Sequence, residues 1–341
     1  MSNIRFSNVL NAKLQETPPI WLMRQAGRYH RHYQSLRKEH SFMELCKNPK
    51  LAAQVALGPM EDFDFDVAIL FSDLLFPLEA LGMGLKYDES GPHLGWQLSK
   101  ENWGKLKSVE QAIPSLQFQH EAMKETRLKL PENKSLIGFV GGPWTLFTYA
   151  VQGEHGGSLI EAKKDFEIFN DFSKILVPLL IENIKLQFAG GAELVMIFDT
   201  AAGELAPSIF QENVLPTLET LASTFPKKLG YYSKGTNHSH LKTFAQNKTP
   251  WAGLGIDHRW DMAAELNTHS QGFLQGNFDQ ALLFSSPRDF KTILMKYLEP
   301  IRRLDSAKRS SWVCGLGHGV LPKTPEENVK CFVDTVREVF R

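Results

Sequence analysis

The chain has 341 residues, 43% of them hydrophobic, enough for one large core or two smaller ones. Lys plus Arg and Asp plus Glu both number 38, so the formal net charge is zero, which argues against nucleic acid or an anionic membrane as the main partner. Three scattered cysteines (Cys46, Cys314, Cys331) with no CxxC pair argue against a disulfide framework and a structural zinc site, and no apolar run approaches the ~20 residues that span a bilayer.

The stretch from Met1 to Leu14 is polar and lacks the apolar segment of a secretory signal, so a cytoplasmic location is expected. Pro18-Pro19-Ile20-Trp21-Leu22-Met23 then reads as a buried strand, and it ends at Arg24-Gln25-Ala26-Gly27-Arg28. Two guanidiniums around an Ala-Gly pair at a strand end suit an anionic ligand, because each is a planar fork of donors matched to carboxylate or phosphate. Further apolar runs follow at 67–73, 136–141, 194–200, 228–233, 251–257, 272–277 and 312–318. Nearly continuous apolar composition is what parallel strands buried on both faces require. Helical patterns lie between them. One runs from Phe172 to Phe188 and stops at Gly190-Gly191. Another opens at Thr324-Pro325-Glu326-Glu327, with Thr324 as cap, Pro325 in the first turn and two acids after it.

Eight strand–helix units predict an α/β fold of the (β/α)8 TIM-type, a single barrel domain over residues 1–341 with an extra N-terminal helix and an extended 74–135 segment. Arg24, Asp73, Asp199 with Thr200, Ser233 with Lys234, Asp257, Asn277 and His318 all stand where an apolar run ends. In a barrel those ends converge on the face where active sites are built. A doubly wound open sheet would gather them along a crevice instead, but no glycine-rich dinucleotide turn follows the first run.

Each candidate has a plain structural reading beside the functional one. Arg31, Arg37 and Lys38 read as solvated surface charges, whereas Arg24 adjoins a buried run and Gly27 permits close backbone approach. Asp73 follows Val67-Ala-Ile-Leu-Phe-Ser72 and precedes Leu74-Leu75-Phe76-Pro77; it caps a helix or accepts N–H donors from a ligand and stabilises a developing cation. Gly138-Phe139-Val140-Gly141-Gly142-Pro143 reads as a tight strand-to-helix turn, with Thr145 and Tyr149 on one helix face after it. His318, flanked by Gly317 and Gly319, is a donor to a carboxylate or a proton-transfer group if not a structural residue. His155, among glycines, reads as part of a mobile loop and Lys234 as a surface lysine.

Taken together, these stretches resemble the uroporphyrinogen decarboxylase family. The likeness rests on Trp21-Leu-Met-Arg-Gln-Ala-Gly-Arg-Tyr29, on Gly138-Phe-Val-Gly-Gly-Pro-Trp-Thr-Leu-Phe-Thr-Tyr149, on Phe71-Ser-Asp-Leu-Leu-Phe-Pro77 with Ala80-Leu-Gly-Met83, on Leu274-Gln-Gly-Asn277, and on Gly315-Leu-Gly-His-Gly319. The resemblance implies a homodimeric barrel that needs no cofactor or metal and removes the four acetate carboxyls of uroporphyrinogen III. It implies that the Arg24–Arg28 stretch (Gln25, Ala26 and Gly27 included) binds substrate carboxylates, with Arg24 also a candidate proton donor. It implies that Asp73 accepts the central pyrrole N–H groups and that Tyr149, Thr200 and His318 contact substrate. Thr200 stands where the family often has Ser, and His30-Arg31-His32 where Leu-Pro-Glu is more usual. The rivals are a related methyltransferase barrel using zinc or a corrinoid, an aldolase working through Lys234, and a non-catalytic tetrapyrrole-binding protein.

Overall fold

The computed structural model describes residues 2–88, 91–245 and 250–341. Seven parallel strands form one curled sheet in the order β1 (Val67–Ile69), β4 (Ser135–Gly141), β5 (Leu194–Asp199), β6 (Leu229–Ser233), β7 (Gly253–Gly255), β8 (Phe273–Phe278) and β9 (Trp312–Leu316). β2 (Lys86–Asp88) and β3 (Gly91–His93) make a separate antiparallel hairpin. Every expected apolar run but the first becomes a strand.

The first run closes the ring without becoming a regular strand. Ile20 makes an isolated parallel bridge to Cys314 of β9, and its carbonyl accepts from the Asp66 N–H at 2.9 Å on the β1 side. Pro18 and Pro19 have no N–H to give to a ladder, which explains why this edge is so short. Asp66 takes up the slack, since its Oδ2 accepts from the Ile20 N–H at 2.7 Å. The same carboxylate receives Asn3, Arg5 and Arg337 at 2.9–3.1 Å and so ties both termini to the base of the barrel.

The interior is solid. Val67, Ile69, Ile137, Met196, Phe198, Tyr232, Phe273 and Val313 pack with Trp21, and Phe6 and Val9 of the helix Ile4–Leu10 plug the base. Gly253 makes room for this filling, because a Cβ there would lie 2.3 Å from the Phe273 ring. Burying a ring the size of Phe6 contributes roughly 1.5–3 kcal/mol. Outside the sheet, helices cover the β4–β6 arc with one apolar cluster and the β8, β9 and β1 strands with another.

The expected helix before Gly190 runs Phe166–Ala189 and is capped by Asp165. The last helix starts one residue later than its sequence pattern suggests, at Glu326 with Pro325 as cap. The Thr324 hydroxyl donates backwards to the Leu321 carbonyl at 2.8 Å, so it is not available as a cap. No helix among the described residues is long and apolar enough to cross a membrane.

Candidate active site

Parallel strands deliver their following loops to one mouth, and the polar strand-end residues meet there. Arg24 is at the centre. It sits in a left-handed conformation (φ 61°), a strain of about 1–3 kcal/mol for a residue with a Cβ. Its side chain lies across Gly319, where a Cβ would come within 2.4 Å of its Cδ. From there its charge acts on Asp73, Tyr149, His155, Tyr232 and His318, favouring the less protonated form of each. Arg24 and Arg28 are both exposed, and among the described residues neither side chain has a hydrogen bond or ion pair. Arg31 by contrast is held by Glu326, with Nε 2.9 Å from Oε2. Arg28 stands on the rim, near Tyr33.

Asp73 lies four residues beyond β1 and is only partly exposed, walled in by protein at the bottom of the mouth. Its Oδ1 accepts from the Leu75 N–H at 2.9 Å, so it braces the turn leading into the helix Phe76–Ala80. The capping role and the site role thus fall to different lone pairs of one carboxylate. Burial pushes its pKa up, opposed by Tyr87, the Leu75 N–H and Arg24.

Tyr149 rises from the helix Pro143–Gln152, with its hydroxyl 2.5 Å from His155 Nδ1 and the two rings stacked at 5.0 Å. Burial and then Asp73 push the Tyr149 phenol up to about 12. His155 was expected on a mobile loop; the structure instead packs it onto a site tyrosine. Lys234, expected on the surface, is half-buried and its charge reaches both His155 and His318. Thr200 follows β5 and is 9% exposed.

Burial, and after it the charges of Arg24 and Lys234, lower the His318 pKa to about 3, which favours the neutral imidazole. Tyr232 Oη donates to the Gly317 carbonyl at 2.8 Å and stands 3.0 Å from His318 Nδ1. A phenol has one proton. With that proton committed to Gly317, the network assigns the imidazole proton to Nδ1 and leaves Nε2 as an acceptor.

Gln25 also differs from expectation. Its carboxamide is buried, accepting from the Leu22 N–H and donating to the Val67 carbonyl, both at 3.1 Å. It holds the arginine loop on β1 with its side chain rather than reaching into the mouth. Asp199 is likewise a connector, accepting from the Thr145 N–H and hydroxyl on one oxygen and from Tyr231 on the other. His30, Arg31 and His32 pin the same loop through Asp62, Glu326 and the Gln54 carbonyl.

Sequence reasoning missed Tyr87 and Tyr232. Tyr232 was hidden inside an apolar strand. Tyr87 had no signal at all, since the hairpin carrying it is short and polar. Among the described residues, no three His, Cys, Asp or Glu side chains come together as a metal-holding group. One surface groove runs along the Lys291–Arg303 helix face and another lies between Lys47 and Lys124, both away from the mouth.

The strand ends of a parallel barrel thus gather Arg24, Arg28 and Lys234 around the half-buried carboxylate of Asp73. The uroporphyrinogen decarboxylase (URO-D) family model matches residues 1–339, and the chain belongs to that family. It is 34% identical to the uroporphyrinogen decarboxylase of Francisella philomiragia over 95% of each chain. It is 34% identical to that of Orientia tsutsugamushi over 96% of each. In fold it is similar to a methyltransferase from Methanosarcina mazei, with a TM-score of 0.77 at 20% identity, covering 99% of this chain and 98% of that one. A B12-independent methionine synthase from Shewanella matches less closely, with a TM-score of 0.54 at 12% identity over 95% and 97% of the two chains. At those identities the likeness is one of fold alone.

Proposed function

We propose that this chain, working as one barrel domain, decarboxylates uroporphyrinogen III to coproporphyrinogen III in tetrapyrrole (haem) synthesis. The observation that carries the reading is the position of Asp73 within the field of Arg24, in a mouth where Arg24 and Arg28 have no side-chain partner among the described residues. The substrate is a macrocycle with carboxylates around its rim and pyrrole N–H groups at its centre. Unpaired guanidiniums at the rim and a recessed anion match it in charge and layout.

The chemistry follows from that match. A proton adds to the pyrrole α-carbon next to the ring carbon that carries the acetate, and the positive charge is shared between that acetate-bearing carbon and the ring nitrogen. The bond to the carboxyl breaks, carbon dioxide leaves, and its electron pair neutralises the ring as an exocyclic methylene. Protonation of the methylene and loss of the ring proton leave a methyl group. Each turn consumes one proton and releases one carbon dioxide. Asp73 stabilises the cation in a site where water is scarce and charges act strongly. Arg24 holds a carboxylate and is the candidate proton donor, with Arg28, Ala26 and Gly27 completing the clamp and Gln25 supporting it. Tyr149, Thr200 and His318 line the macrocycle.

Anaerobic incubation with uroporphyrinogen III and chromatography of the products tests the reading. Hepta-, hexa- and pentacarboxyl intermediates followed by coproporphyrinogen are expected. Tight binding without release of carbon dioxide would identify a tetrapyrrole carrier instead. Homodimerisation and a cytoplasmic location are part of the proposal through family resemblance alone, and equilibrium sedimentation tests the first.

A further inference from the structure

Tyr87 lies on β2 of the hairpin, with its ring packed on Phe42 at 4.6 Å between centroids. Its hydroxyl oxygen is buried, and among the described residues it has no partner in normal hydrogen-bond geometry. A buried O–H left without an acceptor is unfavourable, so its persistence calls for a reason. Its neighbour is Asp73. Tyr87 and Asp73 act on each other as a side-chain hydrogen-bonding pair, yet the contact falls outside normal hydrogen-bond geometry.

The groups acting on or acted on by Asp73 are the Leu75 N–H, Arg24, Cys46, Tyr87 and Tyr149. Leu75 already occupies Oδ1. The Tyr149 hydroxyl is engaged with His155. Arg24 acts through its charge alone, and a thiol such as Cys46 is a weak donor. Among the described residues this leaves the Tyr87 O–H as the strong donor beside Asp73 with no other acceptor.

We propose that Tyr87 is a positioning residue for Asp73, donating its hydroxyl proton to the carboxylate in the substrate complex and so fixing its orientation and keeping it ionised. A carboxylate offers about four lone-pair positions. With one taken by Leu75 and one by Tyr87, the remainder faces the pyrrole N–H groups. The inference rests on the role proposed above for Asp73, and it concerns a residue that touches the carboxylate rather than the substrate.

The test is the pH profile of kcat and of kcat/KM for the parent enzyme, Tyr87→Phe and Asp73→Asn. Tyr87→Phe keeps the ring and its contact with Phe42 and removes only the donor. It is expected to lower kcat roughly tenfold, the scale of a hydrogen bond to a charged group, with KM within about twofold. Its acid limb should move to higher pH, because loss of the donor makes the carboxylate easier to protonate. An acid limb identical to the parent's overturns the inference, whatever the rate. Parent-like turnover by Asp73→Asn overturns instead the reading of Asp73 on which it rests.

Discussion

Arg24 holds its guanidinium at the centre of the mouth from a backbone conformation that most side chains avoid. Strain of this kind persists where the surroundings over-determine it, and here Gly319 supplies the space the side chain needs. Two consequences can be measured. Arg24→Lys keeps a charge but loses the fork, and kcat/KM for uroporphyrinogen is expected to fall at least tenfold or so, with thermal stability unchanged. Gly319→Ala pushes the arginine aside and should raise KM several-fold, read by steady-state kinetics. Asp73 shows the opposite balance between function and stability. Burial holds its pKa above the ordinary carboxylate value, so the folded chain binds this proton more tightly than the unfolded chain. Its contribution to stability is therefore present at low pH and lost as pH rises through the folded value. Asp73→Asn removes that penalty. It should unfold at the same temperature as the parent or higher at pH 7, by calorimetry, while kcat falls roughly a hundredfold.

The strand-to-helix joint after β4 shows how an element is held in place for the site. Gly142 caps the helix Pro143–Gln152 and lies against Asp199, which a Cβ there would meet at 2.5 Å. Asp199 draws together the Thr145 backbone and hydroxyl and the Tyr231 phenol, so three consecutive strands, β4, β5 and β6, share one anchor. That anchor sets the direction of the helix and hence the place of Tyr149. Burial raises the Asp199 pKa to about 6, above the unfolded value, so its contribution to stability declines as pH rises from about 4 to 6. Asp199→Asn cannot titrate. In urea melts across that window, the variant should gain on the parent by about 1.4 kcal/mol per pH unit. A difference that stays flat with pH would place the titration elsewhere.

Net charge of zero conceals a strong local separation. Arg24, Arg28 and Lys234 gather at the C-terminal mouth, whereas Asp66 binds both chain ends at the base. A multivalent anion is drawn toward such a mouth over distances comparable with the Debye length, about 10 Å at 0.1 M salt and 3 Å at 1 M. KM for uroporphyrinogen should accordingly rise several-fold between 50 mM and 500 mM sodium chloride while kcat changes little. A KM independent of salt would mean that the unpaired arginines do not meet carboxylates.

The apolar runs, their number and the polar residues at their ends were legible in the sequence by itself, because a strand buried on both faces must be almost wholly apolar and cannot hide where it stops. So was the family, through five ordered stretches. The tertiary structure alone decided which polar atoms were already used. It turned Gln25 and Asp199 into scaffold, brought His155 and Lys234 into the mouth, lowered the pKa of His318, and set Tyr87 beside Asp73. A sequence records which groups can donate and accept. Only packing decides which of them are satisfied by the protein and which remain for a ligand.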